Sequence, residues 1–114
     1  MDLGLELSER DGLSVLAVSG EVDVATVPRL RDQLHSLVAQ GQTHVVVDLD
    51  GVDFLDSTGL GVLVGALKRL RTSGGDLHLI CTQPRIRKVF EVTGLTKVFP
   101  MHDTVDEAVA GAAG

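Results

Sequence analysis

Apolar residues at Leu3, Leu5 and Leu7 alternate with small or charged ones, and a denser apolar run from Leu13 to Ser19 follows the Asp11-Gly12 dipeptide. Alternation flanking Asp-Gly predicts two strands joined at Glu9–Gly12. The second strand is nearly continuously apolar, which places it centrally with both faces covered. Gly20 is expected to break it. From Thr26 the period lengthens: Val27, Leu30, Leu34, Leu37 and Val38 share one helical stripe, with Arg29, Arg31, Asp32 and Gln33 off it. Pro28 is tolerated in the first turn, where its missing N–H has no intrahelical partner, and Gly41 is a fitting stop.

The run "HVVVDLDGV" from His44 reads as a buried parallel strand. A loop over Asp50–Asp56 is expected to lead into a second helix with Leu60, Leu63, Val64, Leu67 and Leu70 on its apolar face. Lys68, Arg71 and Thr72 lie opposite, near the end where basic residues suit the macrodipole. "SGGD" turns the chain into the strand "LHLIC". After Pro84 a short helix faces Ile86, Val89 and Phe90 inward and Arg85, Arg87 and Lys88 outward, ending at Gly94. A short strand near Lys97–Phe99 and a last helix from about Thr104 complete the pattern. Thr104 and Glu107 have capping-box spacing, and the tail "AGAAG" is expected to fray. Strands alternating with helices imply an α/β fold. The expected architecture is a single mixed, mostly parallel β-sheet of about four to five strands packed with about four helices. The 114 residues fit one domain, 1–114, with its core at about 3–110.

Composition narrows the function. The chain is 44% hydrophobic, yet it has three Phe and neither Trp nor Tyr, so its core must be aliphatic. A net charge of −6 argues against direct nucleic-acid binding and suits a partner with a positive surface. Cys81, the one cysteine, sits among apolar neighbours and reads as a buried small hydrophobe; a chain without a possible internal disulfide fits a reducing compartment. The N-terminus has neither the basic nor the long apolar region of a secretory signal, and no run reaches membrane-spanning length, so a cytoplasmic protein without membrane insertion is expected.

Candidate chemistry gathers at two strand ends, as expected for an open α/β sheet. "SGEVDVAT" carries Asp23, and "DGVDFLDSTG" carries Asp50, Asp53, Asp56, Ser57 and Thr58. If the two strands are adjacent, Asp23 and Ser57 are neighbours. Asp56, Ser57 and Thr58 are all preferred helix caps, so the cap is redundant. Gly59 and Gly61 fall in the first turn, where each costs roughly 1 kcal/mol relative to Ala, and they are expected to leave backbone N–H groups open to a partner or a phosphate. A helix N-terminus also tolerates negative charge, so a phosphate on Ser57 is compatible with the fold. Asp23 reads equally as a turn or cap residue, and Asp48 as a carboxylate hydrogen-bonded at a strand end. A catalytic Ser57 is disfavoured: Leu55 stands where a hydrolase elbow has glycine, and His35, His44, His78 and His102 belong to no triad motif, falling on helix flanks, strand ends or loops. Asp48, Asp50 and Asp53 lack the closing Glu of a calcium loop, and "DSTGLGV" lacks the ending of a P-loop.

The segment from "VVVDLDGVDFLDSTGLGVLVGALKRL" through "EVTGL", preceded by "SGEVDVATVPRLRDQL", strongly resembles the STAS domain of bacterial anti-sigma factor antagonists over nearly the whole chain. The resemblance implies a single-domain switch with no enzymatic activity and no cofactor. Its partner is an anti-sigma factor that is itself a serine kinase; binding it frees the sigma factor and so regulates transcription. The kinase phosphorylates the serine after the aspartate, here Ser57, and a serine phosphatase resets the switch. Asp23, Asp56, Thr58, Gly59, Leu60 and Gly61 match the family positions around that serine and are the expected partner-binding residues. No metal, small-molecule ligand or nucleic acid is expected. STAS domains also serve as accessory subunits of lipid or anion transporters and of stress-signalling complexes, which is the alternative role. Free-standing transport domains often lack the full Asp-Ser-Thr-Gly context present here.

Overall fold

The computed structural model describes residues 2–113. Five strands line up in chain order: β1 (Leu3–Arg10), β2 (Leu13–Val22), β3 (His44–Leu55), β4 (Asp76–Ile80) and β5 (Met101–His102). β1 and β2 form the antiparallel hairpin, and every later pairing is parallel. The helices are α1 (Val27–Ala39), α2 (Ser57–Thr72), α3 (Pro84–Val92) and α4 (Val105–Ala113). The sheet is therefore mixed and mostly parallel, as the alternation of periods predicts.

The main core lies between one sheet face and α1, α2 and α3, and is built from Leu16, Val18, Val47, Leu49, Leu77 and Leu79 against Leu34, Leu63, Leu67, Ile86 and Phe90. Phe90 and Phe99 make a perpendicular aromatic contact in it, ring centroids 5.9 Å apart. On the opposite face α4 makes a smaller cluster: Ala108 and Val105 pack on Val15, Val46 and Ile80. β2 lies inside the sheet, next to the edge strand β1; its second face meets the α4 cluster at Val15, and Ser19 is exposed. Cys81 is fully buried and its thiol is pushed up to about 11, by burial first and then by the Asp50 charge, so it behaves as the hydrophobe expected.

Three boundaries differ from expectation. β2 runs through Gly20 to Val22, because Gly20 adopts φ +89° at an irregularity in the β2–β3 register and the pairing resumes beyond it. β3 continues through the expected loop to Leu55. The register shifts between Asp48 and Gly51, opposite Ala17 and Ser19, and this bulge breaks the apolar alternation although Val52 and Leu55 remain buried. Asp48 accepts the N–H of Asp50 at 3.0 Å inside this bulge. Near the C-terminus, residues Leu95–Lys97 form a 3-10 turn introduced by Gly94 at φ +75°, so the last strand falls at Met101–His102 and not at Lys97–Phe99. The tail is helical to Ala113; the remainder of its expected fraying, Gly114, lies outside the described residues.

Candidate functional site

β2 and β3 run parallel and adjacent, with Val22 opposite Leu55, so their carboxyl ends deliver Asp23 and the Asp56–Gly61 turn to one edge of the sheet. The Asp56 N–H donates to the Val22 carbonyl at 3.2 Å, tying the two ends together. Asp56 is the N-cap of α2. Its carboxylate accepts the N–H groups of Thr58 (3.0 Å) and Gly59 (3.1 Å) and also the Thr58 hydroxyl. The Thr58 hydroxyl does most to hold the Asp56 carboxyl below its ordinary value of 3.8; burial opposes it, and the Gly59, Thr58 and Val24 N–H groups add to it.

The division of labour among the three capping candidates is thus settled by geometry. Asp56 caps, Thr58 serves Asp56, and Ser57 is left at the first helical position, exposed, with no hydrogen bond to its hydroxyl among the described residues. The expectation of free N–H groups at this helix end needs correction: two are already satisfied by Asp56, which supplies the helix with its own anion.

The two glycines also separate. Gly59 is buried, and a Cβ there would lie 2.6 Å from Cδ1 of Leu55 and 2.7 Å from Cγ1 of Val22. It is glycine so that α2 can seat on the ends of β2 and β3, not so that a partner can approach. Leu60 likewise turns into the core. Gly61 is exposed with nothing within 4 Å of a Cβ, and it does leave the surface open. Asp23 directs Oδ1 into its own loop, accepting from the N–H of Ala25 at 2.9 Å and of Thr26 at 3.0 Å. That is the turn role, with no bond to Ser57 among the described residues. Asp50 ties β3 to the segment before α3 by accepting the Thr82 N–H at 2.7 Å.

Two features of the site have no motif in the sequence. Val24 (71% exposed) and Phe54 (48%) are large exposed apolar side chains, the first just beyond the end of β2 and the second in the last residues of β3 before the Asp56–Gly61 turn. An open groove of about 280 Å³ between α1 and α2 starts at Thr58, runs over Gly61 and Gly65, and is bordered by Arg31, His35 and Arg69. Neither feature is visible until the loops and helices are placed side by side. Among the described residues no set of acidic, histidine or cysteine side chains converges on a cation position, and no helix is long and apolar enough to cross a membrane.

Replacing Asp56 by Ala should destabilise the chain by about 1 kcal/mol, the usual loss for an N-cap, with Asn retaining most of it. The capping contribution is present above pH 3.8 and is lost as acidification carries the pH below the lowered folded-state value. Denaturation midpoints of the wild type and the Ala variant should therefore converge at low pH.

Comparison with known proteins places this geometry. The STAS domain family profile matches residues 5–108. An anti-sigma-B factor antagonist of Staphylococcus aureus is 36% identical over 103 residues, covering 90% of this chain and 95% of the relative. An anti-sigma factor antagonist from Mycobacterium paratuberculosis superposes with a TM-score of 0.92 at 33% identity, covering 99% of this chain and 96% of the other. The Bacillus cell fate determinant SpoIIAA in its phosphorylated form superposes at 0.71 with 28% identity, covering 96% and 97%. The chain belongs to the family of STAS-domain anti-sigma factor antagonists.

Proposed function

We propose that this chain, as one STAS domain, is a cytoplasmic phosphorylation-switched antagonist without catalytic activity of its own. Unphosphorylated, it binds an anti-sigma factor serine kinase and frees a sigma factor; phosphate on Ser57 ends the complex, and a serine phosphatase restores it. One observation carries this reading: Ser57 is the exposed hydroxyl at the head of α2 that the fold leaves unused, between two residues whose side chains are bound to each other. A kinase can take the Ser57 proton and transfer phosphate without dismantling the cap. The partner-facing surface comprises Asp23, Asp56, Thr58 and Gly61, with Val24 and Phe54 as apolar anchors. Gly59 and Leu60 support it from below. The relatives' names and the phosphorylated form of SpoIIAA support the reading.

Incubation with a cognate anti-sigma factor kinase and ATP, followed by intact-mass measurement, tests it. One phosphate is expected on the wild type and none on Ser57→Ala, whose fold is unchanged. Phosphate on Thr58 alone, or co-purification with a transport ATPase in place of a kinase, would overturn the assignment.

A further inference from the structure

His44 on β3, His78 on β4 and His102 on β5 form a row across three neighbouring strands on the face that α4 covers. Nδ1 of His44 lies 3.2 Å from Nε2 of His78, and Nδ1 of His78 lies 3.4 Å from Nε2 of His102. Consecutive ring centroids are 5.5 and 5.6 Å apart. The central ring is 5% exposed. Each of its nitrogens faces another ring nitrogen, so the row is a hydrogen-bonded chain and not a set of ligands around a common point. α4 closes its far end, where a Cβ at Gly111 would lie 3.0 Å from Cε1 of His102.

Counting protons shows what such a chain can do. Each of its two hydrogen bonds needs one bare ring nitrogen as acceptor. Three neutral rings offer three bare nitrogens, and one added proton still leaves two, whichever ring carries it. A second added proton leaves one, so one contact must become N–H against N–H inside the fold. We propose that this row is a proton-counting latch, holding β5 and α4 to the sheet with zero or one added proton and releasing them when a second arrives.

The surrounding charges do not pre-empt the effect. Asp76, two residues before His78 on β4, is paired with Arg71 of α2 at 3.1 Å. Asp48 shares this face of β3 by alternation. Asp106 of α4 is paired with Arg10 of β1, Glu107 accepts the Asp103 N–H at 3.2 Å, and Asp103 lies 4.0 Å from Arg87 of α3. Burial lowers the His78 pKa below the ordinary 6.5; Asp76 opposes this, while His102 and His44 reinforce it. The sign follows: stability is complete above pH 6.5, where the ring is neutral in both states, and declines as the pH falls below that value.

The test uses the full chain, with histidine ring NMR and amide hydrogen exchange followed together from about pH 8 to 4.5. The row should take up its first proton with α4 amides still protected. At the second, the amides of β5 and α4 should exchange roughly tenfold faster after correction for intrinsic rates, while α1 and α2 keep their protection. Loss of α4 protection at the first proton, or no loss across the titration, overturns the latch. His78→Leu removes both hydrogen bonds and the buried proton site, so α4 protection in this variant should no longer depend on pH; persistent acid sensitivity there also overturns it. If that variant does not fold, the wild-type titration decides.

Discussion

Replacing Gly75 by alanine is expected to destabilise the fold by about 3 kcal/mol, the upper end of the usual range for overpacking. A Cβ there would lie 1.5 Å from the Thr43 carbonyl oxygen and 2.4 Å from its carbon. Both atoms are backbone, so no rotamer change relieves the overlap. The segment is fastened on both sides: Gly75 donates its N–H to the Leu70 carbonyl at 2.8 Å, and Asp76 donates to the same Thr43 carbonyl at 3.0 Å. Relief requires the start of β4 to move away from Thr43, which breaks the second bond and disturbs the His44–Asp76 register. Gly74 provides the control. It sits at φ +83° with nothing within 4 Å of a Cβ, so alanine there meets only left-handed backbone strain of about 1–2 kcal/mol. Urea unfolding of the two variants at unchanged m-value measures the difference. A Gly75→Ala loss no larger than that of Gly74→Ala would show that close approach does not fix this glycine.

These paired glycines illustrate what the sequence reveals and what it hides. "SGGD" announces a turn, but only the fold shows that Gly74 supplies the left-handed conformation and Gly75 the clearance from Thr43, the residue just before β3. Elements with an unbroken period are readable in advance: the hairpin around Asp11-Gly12, the α1 stripe, the valine strand and the α2 face. The same holds for the start of α4, where Glu107 donates its N–H to the Thr104 hydroxyl at 3.1 Å. The ends of β2 and β3 are not readable, because bulges shift the apolar positions off the period of two. The turn at Asp56–Gly61 is visible as chemistry, yet its roles are not. Three adjacent residues of capping type give no sign which will cap, and that depends on β2 and β3 ending side by side. The histidine row is the least visible of all. His78 reads as one of four scattered histidines, but it lies within β4, and only the parallel pairing aligns it with His44 and His102.

On the proposed function, Ser57→Glu is expected to weaken binding to the proposed anti-sigma factor kinase by roughly a hundredfold, about 3 kcal/mol, while leaving the fold as stable as the wild type. The two halves of this expectation come from the same position. At the first residue of α2 a carboxylate is drawn to the helix N-terminus by about 0.3–1 kcal/mol. The ionised Asp56 next to it opposes this, and the net effect on stability is within about 0.5 kcal/mol, as for other surface substitutions. In the complex the balance differs. Val24 and Phe54 are exposed near the paired ends of β2 and β3 that deliver this turn, and a partner that covers them together with Ser57 also excludes water from the new charge. Asp56 is itself anionic and repels that charge, and its hydrogen bonds already occupy the Thr58 and Gly59 N–H groups that could have offered compensation. Titration calorimetry with the kinase, paired with thermal melts of the free chains, separates the two halves. Ser57→Ala should bind like the wild type, because the hydroxyl supports nothing in the fold. If Ser57→Glu binds as tightly as Ser57→Ala, charge at this position does not operate the switch. If it binds weakly but also melts early, the loss belongs to the fold and not to the interface.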